Sequence, residues 1–163
     1  MPEIRTKRLL LRPYTTGDKS GYLDLVTDPE VMKYVDEGVV NFEKALVWWD
    51  RLINKQYPHG HRWCVVDGKE YAGHAMINYT RPNNGCELGY ILPKSKWSRG
   101  FATEIAQALA DYSREALELQ EIFATVDEGH EESVRVLEKI GMKFAGYDYD
   151  DDGRFLVYVL KHE

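Results

Sequence analysis

Glu87 opens a short apolar run, ELGYIL, that ends at Leu92. A carboxylate at the head of a buried strand can accept a proton from an ammonium, directly or through water. The plain alternative is an edge residue reaching solvent. Pro93 stops the run, because proline has no N–H to give to a sheet ladder. The polar loop KSKWSRG follows, with Lys94, Lys96 and Arg99 as its cations, and leads straight into FATEIAQALADYSREAL. There Ile105, Leu109, Tyr112 and Ala116 recur on one helical face, with Ala108 beside them. A strand, a basic glycine-bearing loop and a helix start together make an anion site. The first amides of a helix have no intrahelical partner, and the macrodipole leaves partial positive charge there. Gly100 lets the backbone approach a phosphate closely, and Ala102 keeps that approach open.

Other candidates stand on thinner patterns. Ser133 lies near the start of the helix pattern EESVRVLEKI, where a hydroxyl bonds a backbone amide or a ligand. His130 sits in the loop before it. His59 and His61 bracket a glycine, but a metal pair needs further ligands and none stands near, so no metal is expected. Trp48 and Trp49 point about 100° apart on a helix, so one is core and the other is left for a pocket or a partner surface. The acids from Asp148 to Asp152 read as a solvated hairpin tip, or as a preference for a cationic ligand if they face a cleft.

The elements that must position these residues follow from pattern. RLLLR, stopped by Pro13, is a first strand. Thr15 and Asp18 form a capping box before the helix GDKSGYLDLV. Asp28-Pro29 starts a second short helix, and Asn41 caps a third, with Phe42, Ala45, Leu46, Trp49, Leu52 and Ile53 at helical spacing. RWCVVD and YAGHAMINY form a hairpin around Asp67-Gly68-Lys69. After the long helix come a strand from Glu121 to Val126, a helix that ends at Gly141, and the strands MKFAGYDYD and RFLVYVLK. The order is mixed α/β, with a largely antiparallel front half.

A chain of 163 residues suits one domain, spanning 1–163. With 44% hydrophobic and 29% charged residues it is globular, and a net charge of −6 argues against a general nucleic-acid binder. No apolar run approaches the roughly 20 residues of a membrane span, and MPEIRTKR lacks the apolar core of a signal peptide. Cys64 and Cys86 read as reduced core residues, which points to the cytoplasm.

The loop lacks the GK[ST] ending of a P-loop, and no G-x-G-x-x-G follows any strand. Trp97-Ser98-Arg99-Gly100-Phe101-Ala102 instead resembles the pyrophosphate loop Q/R-x-x-G-x-G/A of the GCN5-related N-acetyltransferases (GNAT). Trp97 departs from the general pattern, but looks like the W-x-x-G-Y/F-A-T-E variant of the ribosomal-protein N-terminal (alanine/serine) acetyltransferase branch. TKRLLLRPYTTGD, DPEVMKYV, ELGYIL and SVRVLEKIGMKFAG match that branch in order and spacing, over nearly the whole chain. The resemblance implies a GNAT-like fold, a mixed central sheet of about seven strands flanked by helices. It implies a splayed parallel pair, the Glu87 and Ile122 strands, that holds coenzyme A. Backbone groups of Tyr90, Ile91 and Leu92 would pair with the pantetheine arm like an added strand. Trp97, Ser98, Arg99, Gly100, Phe101, Ala102 and Thr103 would hold the pyrophosphate.

The same resemblance places Ser133 near the coenzyme sulfur, as donor to the departing thiolate. His130 stands where the family usually has asparagine, within hydrogen-bonding reach of the pantetheine. The implied activity is acetyl transfer from acetyl-CoA, as co-substrate, to a primary amine: a protein N-terminus, or an aminoglycoside, polyamine or amino acid. An amine must be neutral to attack a thioester, which makes Glu87 the expected base, with Ser133 beside it as catalytic hydroxyl. Tyr34, Asp36, Trp49 and Asp151 are expected around the acceptor. A coenzyme-A-binding module without turnover is the alternative, and the chain is expected as a monomer or homodimer without nucleic-acid or membrane partners.

Overall fold

Short runs of β-branched and aromatic residues, separated by turn-forming glycines and acids, become the strands of one sheet. The computed structural model describes residues 1–35, 38–81 and 85–163, with Thr80 and Arg81 by their backbone alone. Its strands are β1 (Ile4–Arg5), β2 (Leu10–Arg12), β3 (Gly60–Asp67), β4 (Glu70–Arg81), β5 (Gly85–Ile91), β6 (Glu121–Asp127), β7 (Lys143–Asp150) and β8 (Gly153–Lys161). They lie in the order β1-β2-β3-β4-β5-β6-β8-β7. The helices are α1 (Lys19–Thr27), α2 (Phe42–Ile53), α3 (Phe101–Glu115) and α4 (Glu131–Lys139). The expected mixed sheet flanked by helices is present, with eight strands among the described residues rather than about seven. The additional one, Ile4–Arg5, is too short to show a period.

Alternation assigns each face. On β6, Ile122, Ala124 and Val126 are buried, so Phe123, Thr125 and Asp127 point the other way. The buried set joins Phe101, Ile105 and Leu109 of α3 and Leu137 of α4 in one core. A second core forms from Tyr22, Leu25 and Val26 of α1 and Ala45, Trp49 and Leu52 of α2, with Tyr71 and Ile91 packed against it from the sheet. Trp63 to Val66 are four buried residues in a row because β3 is covered on both faces.

Caps set the helix starts where the sequence places them. Asp18 accepts the backbone N–H of Thr15 (2.8 Å) and a bidentate pair of bonds from Arg12 (2.8 and 2.9 Å). Asn41 Oδ1 accepts from Lys44 N at 2.8 Å. Asp28 Oδ1 accepts from Glu30 N (2.9 Å), but only a turn and the 3-10 segment Met32–Tyr34 follow, in place of the expected second helix. Gly141, at φ +91, closes α4 with Met142 N bonded to Leu137 O and Gly141 N to Glu138 O. Phe42, expected on the core face of α2, is 60% exposed, because it stands in the first turn, ahead of the buried Ala45–Trp49–Leu52 stripe.

His74 of β4 is buried beneath α1, its Nδ1 bonded to the Tyr14 hydroxyl at 2.8 Å, and Tyr14 in turn bonds the Tyr71 hydroxyl at 3.0 Å. Burial, aided by the Arg62 charge, pushes the His74 imidazole down to about 3. The unfolded chain therefore binds a proton there, between about pH 6.5 and 3, that the folded chain excludes. Stability is complete above that window and falls as pH drops through it, by roughly 1.4 kcal/mol per pH unit at most. The melting temperature is expected to fall from pH 7 to pH 5, and His74→Asn, which keeps a polar atom and removes the titration, should flatten that slope. A slope unchanged in the variant would show that other groups control acid unfolding.

Candidate functional site

β5 and β6 run parallel but share one paired position, Glu87 opposite Phe123, among the described residues. Beyond it they diverge, and a cleft of about 1010 Å³ opens between Tyr90–Leu92 on one side and Ala124–Asp127 on the other. The splay expected for these two strands is thus present. One end of the cleft reaches the loop before α3, and other walls come from Tyr34, Met76, Asn78 and Phe155.

At the loop, Pro93 ends β5, and the Trp97 indole N–H donates to Leu92 O at 2.9 Å, folding the chain back on the strand. Ser98 (φ +58) and Gly100 (φ +78) are both left-handed, and this reversal aims the chain into α3. The first intrahelical bond is Glu104 N to Gly100 O at 3.2 Å, so the amides of Phe101, Ala102 and Thr103 precede it. The loop cations are mostly spent internally. Lys96 is buried against Asp67 (3.3 Å) and Glu70, Lys94 pairs with Glu30 (2.6 Å), and Arg99 reaches toward Asp67 (3.9 Å). Anion attraction here falls to backbone amides and the helix dipole more than to lysines.

The splay presents different chemistry on its two faces. Glu87 lies on the α1–α2 side, where its carboxylate accepts the Thr125 hydroxyl at 2.5 Å. Tyr90 lies on the α4 side, its hydroxyl 3.3 Å from Ser133 Oγ. Burial raises the Tyr90 phenol, against the opposing bond from Ser133, so it stays protonated and able to donate. Above the strand ends, His130 at the start of α4 stacks on Tyr34, ring centroids 4.1 Å apart and planes within 8°. Burial lowers the His130 pKa, outweighing the nearby Glu132, and favours the neutral ring.

The cleft gathers Glu87, Tyr90, Ile91, Leu92, Trp97, Ser98, Gly100, Phe101, Ala102, Thr103, His130, Ser133 and Tyr34. It does not gather Arg99, whose guanidinium lies 4.8 Å over Phe101 and turns toward Asp67. Trp49, expected near the acceptor, packs instead in the helical core, edge-on to Tyr14 at 6.0 Å, because it shares the buried face with Ala45 and Leu52. Its neighbour Trp48 is half-buried with Lys44 over its ring at 5.5 Å. Asp151, also expected there, is exposed in the β7–β8 turn and does not line the cleft. Asp36 lies outside the described residues. His61, weighed for metal, bonds Tyr79 at 2.5 Å and stacks on Trp63. Thr125 and the Tyr34–His130 stack escaped the sequence reading, since both depend on how separate elements register. Thr125 carried one signal, its place on the face of β6 opposite the apolar set.

Comparison with known proteins agrees with this geometry. The model of the acetyltransferase (GNAT) domain family matches residues 8–143. An uncharacterized N-acetyltransferase of Bacillus subtilis, YnaD, is 31% identical over 147 residues, covering 88% of this chain and 84% of that protein. A GNAT-family acetyltransferase of Bacillus anthracis superposes with a TM-score of 0.86 at 25% identity, covering 98% of each chain. Spermidine N-acetyltransferase of Vibrio cholerae, solved with CoA and spermine, shares the fold at a TM-score of 0.80 and 20% identity, covering 94% of this chain and 95% of its own.

Proposed function

The chain belongs to the acetyltransferase (GNAT) family, and on that premise we propose that it moves an acetyl group from acetyl-CoA to a primary amine by direct attack. The observation that carries this reading is the two-faced splay: a carboxylate with Thr125 on one side of the β5–β6 gap, and a hydroxyl pair on the other. The backbone amides at the start of α3 would bind the diphosphate through the N–H groups of Phe101 to Thr103. Backbone groups of Tyr90, Ile91 and Leu92 would hold the pantetheine arm as an added strand. The thioester would then lie between the two faces.

In the reaction, the amine nitrogen attacks the thioester carbonyl, the C–N bond forms and the C–S bond breaks. Glu87 takes the proton that the ammonium must shed, directly or through water. Ser133 or Tyr90 donates a hydrogen bond to the leaving thiolate, which takes up the second proton that the nitrogen sheds after attack and departs as coenzyme A. His130, held against Tyr34, walls the gap between the coenzyme and the acceptor. The acceptor is a primary amine, small or a protein N-terminus. A spermidine acetyltransferase of the same fold supports the small-amine case, and the sequence resemblance to the ribosomal-protein branch supports the other. The buried thiols Cys64 and Cys86 favour a cytoplasmic setting.

Release of free thiol from acetyl-CoA, measured against polyamines, aminoglycosides, amino acids and short peptides with free N-termini, tests the reading. One amine class is expected to accelerate release well above the buffer rate. Tight acetyl-CoA binding with no acceleration by any amine would favour a binding module without turnover.

A further inference from the structure

The opening segment TKRLLLR takes no part in the cleft, yet two of its residues, Thr6 and Arg8, converge on the start of α3. Thr6 Oγ1 donates to Glu104 Oε1 at 2.5 Å, Arg8 N donates to the same oxygen at 2.7 Å, and Arg8 Nε donates to Glu104 Oε2 at 2.7 Å. Arg8 Nη1 reaches further and donates to the carbonyl of Arg99 at 2.7 Å. The same guanidinium lies 4.5 Å over the Phe101 ring. A Cβ on Gly100 would lie 3.2 Å from Arg8 Nη2. One side chain therefore bonds Arg99 and lies over Phe101, on either side of Gly100 in the left-handed reversal, and ties them to the first turn of the helix. Burial works to raise the Glu104 carboxyl, but the bonds from Thr6 and Arg8 together hold it below the usual range, so the fork stays ionic at neutral pH.

We propose that Arg8 is a positioning residue for the coenzyme's diphosphate, fixing the loop from Arg99 to Phe101 so that the first amides of α3 point into the cleft. The proposal rests on the reading above that this loop binds acetyl-CoA. Arg8 is absent from the cleft lining, so it acts on the ligand through the loop and not by contact. The geometry needs a guanidinium. Only a planar fork can serve Glu104 through Nε and the Arg99 carbonyl through Nη1 while lying over Phe101, and a lysine ammonium cannot do all three. Loops that must be ordered by the ligand bind it more weakly, because the ordering is then subtracted from the binding free energy.

Isothermal titration with acetyl-CoA on the parent, Arg8→Ala, Arg8→Lys and Glu104→Gln tests this, alongside kcat at saturating acetyl-CoA. Arg8→Ala and Arg8→Lys should both raise Kd by about tenfold, the loss of roughly one charge-assisted hydrogen bond. Glu104→Gln should raise it less, since the amide oxygen still accepts. At saturating acetyl-CoA kcat should stay within about twofold of the parent, because the reacting groups lie at the other end of the cleft. Unchanged Kd in the Arg8 variants overturns the proposal, as does full rescue by lysine, which would mean that charge alone matters. A parallel collapse of kcat and Kd overturns it in favour of a general structural role. Should Arg8→Ala fail to fold, the lysine and glutamine variants carry the same comparison. A parent that does not bind acetyl-CoA overturns the functional reading itself, an outcome distinct from equal binding by parent and variants.

Discussion

Glu87→Gln is expected to lower kcat by about 10²–10⁴-fold at neutral pH, while acetyl-CoA affinity holds. The substitution keeps the side-chain shape, and the glutamine carbonyl can still accept the Thr125 hydroxyl that now reaches Glu87 at 2.5 Å. What it removes is the basic oxygen proposed to take the proton from the amine. Raising the pH should restore part of the rate, because more of the amine then arrives already neutral. Ser133→Ala should cost less, since Tyr90 lies 3.3 Å from Ser133 Oγ and can take over as donor. Parental kcat in the Gln variant would remove Glu87 from the proton path, leaving solvent or His130 to take the proton.

The difference between what pattern shows and what only the fold shows runs along the line between local and non-local structure. The β5–loop–α3 stretch was legible because its signals are local: Pro93 ends a strand, and Gly100 precedes a helix whose apolar residues keep one period. The caps at Asn41 and Asp18 and the Gly141 terminus were legible for the same reason. Trp49 shows the limit. Adjacent tryptophans on one helix cannot share a face, but periodicity alone does not say which one the neighbouring elements cover. Tyr14 and Tyr22 cover Trp49, and neither is near it in sequence. Likewise Lys96 reads as a solvated loop cation until β3 and β4 bring Asp67 and Glu70 onto it. The Thr125–Glu87 bond crosses 38 residues of chain, and no spacing rule joins two strands across a crossover helix.

Gly100→Glu should weaken acetyl-CoA binding by roughly 10²-fold and remove most of the ligand's stabilisation against heat. Gly100 has φ +78, a conformation that costs an L-residue with a Cβ about 1–2 kcal/mol. The new Cβ would also stand 3.2 Å from Arg8 Nη2, tight enough that the guanidinium must give way. A carboxylate starting from that position meets Arg8 first, so it competes with the Arg99 carbonyl and Glu104 for the same fork. It also places a negative charge at the positive end of α3, where a diphosphate would otherwise profit from the helix dipole. Gly100→Ala separates these contributions, since it keeps the strain and the crowding without the charge. It should weaken binding by about tenfold. Melting curves with and without saturating acetyl-CoA give the readout: the parent should shift upward by several degrees, the alanine variant less, and the glutamate variant hardly at all. If the glutamate variant binds acetyl-CoA as tightly as the parent, the loop from Trp97 to Thr103 is not the diphosphate site.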